Sequence, residues 1–312
     1  MKKWISAWMI AMLCAAGCSH KNKPASTGVD HEVETAKQHD RALLLVTFGS
    51  SWDKPHETFQ RMKAQFAAAF PTHDVYLAFT SGICRKRCAE NGKGLFYSPE
   101  EWLQALGRHE YRHIDVQSLH IIPGEEYRKI VAAIEAFKQD SIGQNIEIAL
   151  GGPLLNSEAD ITELARNLHA LHVERIAAGH TVVFMGHGNE LEDLEQGNGC
   201  YPQLEAALQT HSPRYFVGTV DMPGNDIEAV MTRMKAAGIH TGEVFCQPLL
   251  SVVGDHATND MKGGNEEQPE EGSWRHSLIQ AGYTCTPAHC LTEGLADFPE
   301  NVTIWMSHVP RP

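Results

Sequence analysis

The sequence predicts an α/β fold of two Rossmann-like domains whose parallel sheets face a central cleft. Seven short strand-like runs lie at 42–48, 75–79, 114–119, 146–150, 181–185, 215–220 and 244–253. Segments with helical patterns separate these runs, and such alternation is typical of parallel βαβ units. The two halves of the chain also resemble each other, which indicates a repeated architecture.

Three helix starts are marked by capping residues. A serine or asparagine stands at the predicted cap, an acidic residue follows three positions later, and one start also has a proline in its first turn. The starts are Ser98 with Pro99 and Glu101, Ser157 with Asp160, and Asn225 with Glu228.

The internal similarity sets the predicted domain boundaries. Gly49 follows the first strand as Gly186 follows the fifth, and Gln117 follows Gly49 at nearly the separation at which Gln247 follows Gly186. We predict an N-terminal half over 41–165 and a C-terminal half over 175–312 that carries the metal ligands. The boundary falls within or after a long helix.

Residues 1–28 are predicted to be an export signal and tether. Lysines at positions 2 and 3 precede an apolar stretch over 5–14 and small residues up to Cys18. The stretch is too short for a stable transmembrane span. Two alternatives stay open, namely lipidation at Cys18, which would anchor the chain to a membrane, and ordinary cleavage before about Val29. Both predict a periplasmic protein.

Composition excludes several classes of function. The net charge of −13 argues against nucleic acid as a partner, because phosphate neutralisation needs clustered Lys and Arg. The chain has no GxSxG elbow, P-loop or clean GxGxxG, so hydrolase, P-loop and dinucleotide-binding functions lack their usual motifs.

The cysteines allow disulfides in an exported protein. Structural or unpaired roles are favoured over metal ligation, because the spacings match no zinc motif with a second CxxC arm. The candidate pairs are Cys84 with Cys88, Cys285 with Cys290, and Cys200 with Cys246.

Chemistry-bearing side chains follow the predicted strands. His187 stands between two glycines, His256 follows Asp255, and His120 and Asp221 end two further strands. Open α/β sheets place their ligand crevice at the carboxyl ends of strands. Two imidazoles and a carboxylate suit a first-row divalent ion that is bound and then passed on. The alternatives are a buried structural role for His120 and a cap or turn role for Asp221.

Other residues are candidates for substrate binding. Arg85 and Arg87 belong to the densest basic cluster, which is either a solvated helix face or an anchor for ligand carboxylates. Ser50 and Ser51 follow the first strand, where backbone donors could meet a ligand. Glu125 occupies the place in the first half that Asp255 has in the second.

Several segments resemble the anaerobic cobalt chelatase family, the class II sirohydrochlorin cobaltochelatases of the CbiK type. They lie at 43–51, 78–82, 117–122, 183–188, which includes MGHG, and 254–261, which includes GDHATND. The resemblance implies insertion of Co²⁺ into a sirohydrochlorin-type tetrapyrrole without ATP. It also implies that His187 and His256 bind the metal and that Asp221 stands where the family has a glutamate.

The implied reaction replaces two pyrrole N–H protons with a metal ion. Neutral imidazole both binds metals and accepts protons near pH 7. We expect His187 and His256 to hold the metal with Asp221, and one of them or His120 to accept protons. Fe²⁺ and Ni²⁺ accept the same ligand types.

A second hypothesis stays open at this stage. Export is unusual for an enzyme with a cytoplasmic substrate, so the chain could instead be a periplasmic metal or haem binding and transport protein on the same fold. No residue is assigned as a haem ligand. The sequence also leaves open whether the chain forms a homo-oligomer.

Overall fold

The computed structural model describes residues 28–190 and 195–311. The predicted export signal, including Cys18, lies outside them. The fold is α/β with two four-stranded, fully parallel sheets, which confirms the predicted fold class.

The two sheets have the same strand order. The first has the order β2-β1-β3-β4 and the second β6-β5-β7-β8, so each strand of one half has a counterpart in the other. This confirms the internal similarity read from the sequence. The strands are β1 (Arg41–Thr47), β2 (Asp74–Phe79), β3 (His113–Ser118), β4 (Glu147–Gly151), β5 (Thr181–Gly186), β6 (Tyr215–Thr219), β7 (Gly242–Pro248) and β8 (Tyr283–Thr284).

Helices connect the strands and cover the sheets. Three 3₁₀ turns at Gly143–Asn145, Pro287–His289 and Leu295–Asp297 and one π-helical turn at Ala257–Met261 complete the described secondary structure. The helices are α1 (Val29–Ala36), α2 (Asp53–Ala69), α3 (Gly82–Glu90), α4 (Pro99–Arg108), α5 (Glu125–Gln139), α6 (Glu158–Ala177), α7 (Glu195–Asn198), α8 (Cys200–Gln209), α9 (Ile227–Ala236), α10 (Trp274–Gln280) and α11 (Pro299–Ser307). None of the helices described is long and apolar enough to cross a bilayer.

The central strands are buried on both faces, which is why they read as continuous apolar runs. In β1, Leu43 and Leu45 point into one hydrophobic cluster, whereas Leu44 and Val46 point into the cluster on the other face. Side chains alternate across a strand, so both sets are fully buried without breaking the run. These buried strands therefore hold the loops at their ends in fixed positions.

The capping predictions are confirmed at two helices and displaced by one residue at the third. Ser98 forms a capping box with Glu101, and Ser157 accepts a hydrogen bond from the Asp160 amide. The cap of α9 is Asp226 and not Asn225. The Asn225 side chain instead accepts a hydrogen bond from the Arg233 guanidinium at 3.0 Å.

The C-terminal helix packs back against the first half. Trp305 is fully buried, and its indole N–H donates to the His120 carbonyl at 3.1 Å. His308 on the same side contacts Asp160 at the start of α6 at 3.0 Å. The proposed division at 165 to 175 falls inside α6, so this long helix links the two sheets.

The six described cysteines form no disulfide. Cys84 and Cys88 both lie on α3, where their thiols contact the carbonyls of Gly49 and Ser50. The other candidate partners, Cys200 and Cys246, belong to different hydrophobic clusters.

Candidate active site

The carboxyl ends of both sheets open onto one cleft of about 760 Å³. This volume is in the range of pockets that enclose most of a sizeable organic ligand. Loops after β1, β3, β5, β6 and β7 line it. The predicted site residues among the lining are Ser50, Ser51, Arg87, His120, Glu125, His187, Asp221 and His256.

His187, Asp221 and His256 meet in this cleft. The imidazole centroids of His187 and His256 are 4.7 Å apart, and the rings stand at 87° to each other. The Nδ1 atom of His187 lies 3.4 Å from a carboxylate oxygen of Asp221. The sequence predicted this convergence of residues from three strand ends, and the structure confirms the proximity.

The site is open and loosely arranged. His187 and His256 keep 47% and 39% of their side-chain surface exposed, and Asp221 keeps 33%. Among the described residues, the ligand atoms of these three side chains do not form a group in which all lie within 4.8 Å of one another. An ion held here would therefore be accessible, which suits a metal that must leave its protein ligands.

Gly188 allows the loops after β5 and β6 to come together. Its φ is +83°, a conformation that costs little only for glycine, and a Cβ on it would lie 2.7 Å from the Met222 amide nitrogen. The close approach lets the Asp221 amide donate to the His187 carbonyl at 2.8 Å. The glycine therefore places the imidazole and the carboxylate side by side.

Hydrogen bonds set which nitrogen of each imidazole can bind an ion. The Nδ1 atom of His187 lies 2.9 Å from the Gly188 carbonyl, and that of His256 lies 2.6 Å from the Asp260 carboxylate. Both partners are acceptors, so in the neutral ring Nδ1 carries the proton and donates it. The Nε2 lone pair of each ring then remains available for a metal ion or a proton.

Asp260 orients His256 from the next turn of the chain, four positions along. A carboxylate in this place fixes the tautomer and raises the basicity of a ligating imidazole. The Asp255 carboxylate, although adjacent to His256, instead accepts a hydrogen bond from the side-chain amide of Asn259 at 3.0 Å.

We expect Asp260→Ala to weaken Co²⁺ binding about 10- to 100-fold, because the His256 ring loses its orienting partner. The measurement is a Co²⁺ titration of the purified protein. Asp255→Ala is the matched control, since it removes an equal charge beside His256 without touching the ring. Equal affinities in the two variants would contradict the orienting role.

His120 lies in the same cleft but in a drier environment. Burial lowers its pKa to about 4, its Nδ1 is 3.1 Å from the Ser118 hydroxyl, and its Nε2 has no partner in the part of the chain described. The ring is therefore neutral at pH 7. A base with so low a pKa retains a transferred proton poorly, so His120 is a weak proton acceptor.

The candidate substrate-binding residues divide into two groups. Ser50, Ser51, Arg87 and Glu125 line the cleft. Arg85 is not among the lining residues, because its guanidinium donates to Glu101 at 2.9 Å on α4. Arg85 and Arg87 both belong to α3, but only the Arg87 side chain reaches the cleft.

An apolar wall of the cleft was missed by the sequence analysis. Phe48, Trp52 and Ile83 line the cleft and are 46%, 41% and 66% exposed. Exposed aromatic and aliphatic side chains in a cleft are typical of a binding surface for a flat apolar ligand. The only sequence signal was the position of Phe48 and Trp52 on either side of Gly49-Ser50-Ser51.

Trp52→Ala is expected to raise the KM for a tetrapyrrole about 10-fold with a smaller effect on kcat, because it removes about 1.4 kcal/mol of stacking contact. Steady-state kinetics at saturating metal measures both constants. Leu171→Ala is the control, since Leu171 is similarly exposed but lies on α6 and does not line the cleft. An unchanged KM in Trp52→Ala would contradict a stacking role.

Comparisons with known proteins show the family of the chain and agree with its fold. The family model for cobalt chelatase (CbiK) matches residues 41–311. The sirohydrochlorin cobaltochelatase CbiKC of Nitratidesulfovibrio vulgaris is 33% identical over 86% of this chain and 89% of its own length. A sirohydrochlorin cobaltochelatase of Salmonella typhimurium is 29% identical over 86% of this chain and 95% of its own length.

A solved structure shares the fold at low sequence identity. The structure of SirB from Bacillus subtilis with Fe³⁺ has a TM-score of 0.53 and 13% identity, and the match covers 86% of this chain and 93% of that one. The two-sheet architecture is thus shared with a class of proteins whose sequences have diverged widely.

Proposed function

Because the chain belongs to the CbiK family of cobalt chelatases, we propose that it is a sirohydrochlorin cobaltochelatase that inserts Co²⁺ into a sirohydrochlorin-type tetrapyrrole without ATP. The family match covers almost the whole described chain, including both sheets and every loop that lines the cleft. The proposal therefore concerns the complete fold and not one shared motif.

One observation carries the assignment to this cleft. The imidazoles of His187 and His256 stand in contact at 4.7 Å between centroids, with Asp221 beside them and an apolar wall in the same cleft. Metal ligands and a surface for a flat ring are the two parts that metal insertion into a macrocycle needs. Both are on the same cleft.

In the proposed mechanism the Nε2 atoms of His187 and His256 hold Co²⁺ together with Asp221. The macrocycle takes the ion as its two pyrrole N–H groups lose their protons. Each imidazole that releases the metal regains a free lone pair and can accept one of these protons. Two protons leave as one Co²⁺ enters, so the charge change on the macrocycle is balanced without ATP or a redox step.

Asp221 is the carboxylate of the proposed ligand set, so it contributes to the affinity for each metal. It is one methylene shorter than the glutamate that the family supplies at this position, and 3.4 Å separates its carboxylate from the His187 ring. We propose Co²⁺ as the preferred metal, with Fe²⁺ and Ni²⁺ as competitors because all three accept imidazole and carboxylate ligands.

The test is metal insertion into sirohydrochlorin by the purified protein, followed through the absorbance of the macrocycle. Co²⁺, Fe²⁺ and Ni²⁺ are assayed separately at equal concentrations, and the rate without protein is subtracted. Fastest turnover with Co²⁺ supports the proposal. Absence of turnover with every metal, or haem bound to the protein as purified without any turnover, would contradict it.

We further propose that the protein acts outside the cytoplasm. The support is the sequence of residues 1–28, which has the charged, apolar and small-residue zones of an export signal. The small-residue zone ends at Cys18. Fractionation of cells into cytoplasm, periplasm and membranes tests this, and Cys18→Ala separates the two alternatives. Lipidation predicts release from the membrane fraction by that change, whereas ordinary cleavage predicts no change.

A further inference from the structure

Three buried cysteines converge outside the cleft. Cys246 lies in β7, Cys285 follows β8, and Cys290 follows the turn Pro287–His289, and they are 0%, 2% and 4% exposed. Their sulfur atoms all lie within 4.8 Å of one another. The Cys285 and Cys290 sulfurs are 4.0 Å apart. We call this group the thiol cluster.

Paired backbone holds the thiol cluster in place. Tyr283 in β8 pairs with Gly242 in β7, and a parallel bridge joins Cys246 to Cys290. The amide of Leu291 donates to the Cys246 carbonyl at 2.8 Å. The chain thus leaves the sheet after Thr284 and pairs with β7 again at Cys290, which keeps Cys285 and Cys290 close to Cys246.

A buried arginine accompanies the thiol cluster. Arg275 on α10 is fully buried, and its Nη2 atom donates to the Glu266 carbonyl, while Nε and Nη1 have no hydrogen-bond partner among the residues that the structure describes. Hydrogen bonds from the other two thiols, together with the positive charges of Arg275 and Lys262, lower the pKa of the Cys290 thiol. A buried cation without an anion is strongly unfavourable, so a negative charge near Arg275 would stabilise the folded protein.

We propose that the thiol cluster is a binding site for a thiophilic divalent cation, with Zn²⁺ as the best fit. Thiolates are the ligands that zinc prefers at buried sites, and Zn–S bonds of about 2.3 Å place tetrahedral sulfurs about 3.8 Å apart. The spacing of Cys285 and Cys290 is close to this value. Each thiol that is still protonated releases its proton to solvent as its sulfur–metal bond forms, and no electron is transferred.

Charge balance supports a divalent ion. Three thiolates and a divalent cation carry one net negative charge, which the Arg275 guanidinium neutralises. Without a metal, the second and third thiols keep their protons, because neighbouring thiolates oppose further ionisation.

The thiol cluster belongs to the same hydrophobic core as a segment that serves the cleft. Ala257 and Met261 pack in the hydrophobic cluster that contains the three cysteines, and they begin and end the π-helical turn that follows His256. A bound ion would therefore stabilise the core against which this turn packs. It would not take part in insertion, since none of the three cysteines lines the cleft.

The first test measures how many Zn²⁺ ions the full chain binds tightly. The protein is purified with a reductant and freed of metal, and Zn²⁺ is then titrated in competition with a chromophoric chelator. We expect one equivalent that the variant Cys246→Ala/Cys285→Ala/Cys290→Ala loses. Cys88→Ala, which removes a buried thiol elsewhere, retains it. The double variant His187→Ala/His256→Ala also retains it, so this result is independent of the proposed activity.

The second test needs no variant and therefore does not depend on its folding. Mass spectrometry maps how fast each cysteine of the native protein is alkylated with and without Zn²⁺, and we expect the metal to protect the three cluster cysteines but not half-buried Cys84. Unchanged alkylation of the three would overturn the proposal. So would equal Zn²⁺ binding by the triple variant, or a Cys285–Cys290 disulfide in the protein as isolated.

Discussion

His187→Ala and His256→Ala are each expected to slow cobalt insertion about 100-fold or more, a loss of about 2.7 kcal/mol of transition-state stabilisation. Each change removes one of the two Nε2 atoms that can hold the ion and accept a pyrrole proton. Neither should unfold the protein, because both rings are substantially exposed and neither belongs to a hydrophobic cluster.

The measurement is the insertion rate at saturating sirohydrochlorin, with circular dichroism as the check on folding. His240→Ala is the matched control. His240 is exposed and lies shortly before Gly242, the first residue of β7. It is therefore at the end of the sheet away from the cleft. Near-normal insertion by both cleft variants would show that these imidazoles do not carry the chemistry.

Gly188→Ala is expected to lower insertion about 100-fold, since a displacement of about 1 Å at a reacting group can have an effect of this size. The added Cβ would overlap the Met222 amide nitrogen at 2.7 Å, so the loop after β5 must move away from the loop after β6. His187 and Asp221 are carried on these two loops and would separate.

Gly224→Ala separates this overlap from simple backbone strain. Gly224 has a φ of +73°, similar to that of Gly188, but a Cβ there has nothing within 4 Å. Both variants should lose about 1 kcal/mol of unfolding free energy from the positive φ. Only Gly188→Ala should lose activity and Co²⁺ affinity, and an equal loss in Gly224→Ala would mean that the close approach of the two loops is unimportant.

The central strands β1 and β5 were predictable because they are buried on both faces. Each of them reads as an almost unbroken apolar run. The eighth strand, Tyr283–Thr284, has only two residues, so no periodicity could indicate it. It belongs to the sheet because of its pairing with β7, which is a tertiary property.

The proximity of the three candidate ligands was predictable for a topological reason. Parallel strands end at one edge of a sheet, so residues that directly follow them must be neighbours. His187, Asp221 and His256 all follow strands of the second sheet and do meet. The contact of His256 with Asp260 is local, because residues four apart share a face of a helical turn.

What the sequence did not indicate depends on contacts between distant elements. The direction of the Arg85 side chain is set by Glu101 on another helix. The apolar wall looks like ordinary core sequence until the cleft is known to leave it exposed. Likewise, the thiol cluster joins Cys246 to residues about 40 positions later, with no local zinc spacing to reveal it.

The most direct test of the account is a crystal structure of the protein with Co²⁺, using anomalous scattering at the cobalt absorption edge. We expect one anomalous peak in the cleft, about 2.1 Å from Nε2 of both His187 and His256, with Asp221 as a third neighbour. A cleft ion bound to neither ring, or to one ring while the other points away, would contradict the shared metal site on which the proposed function rests.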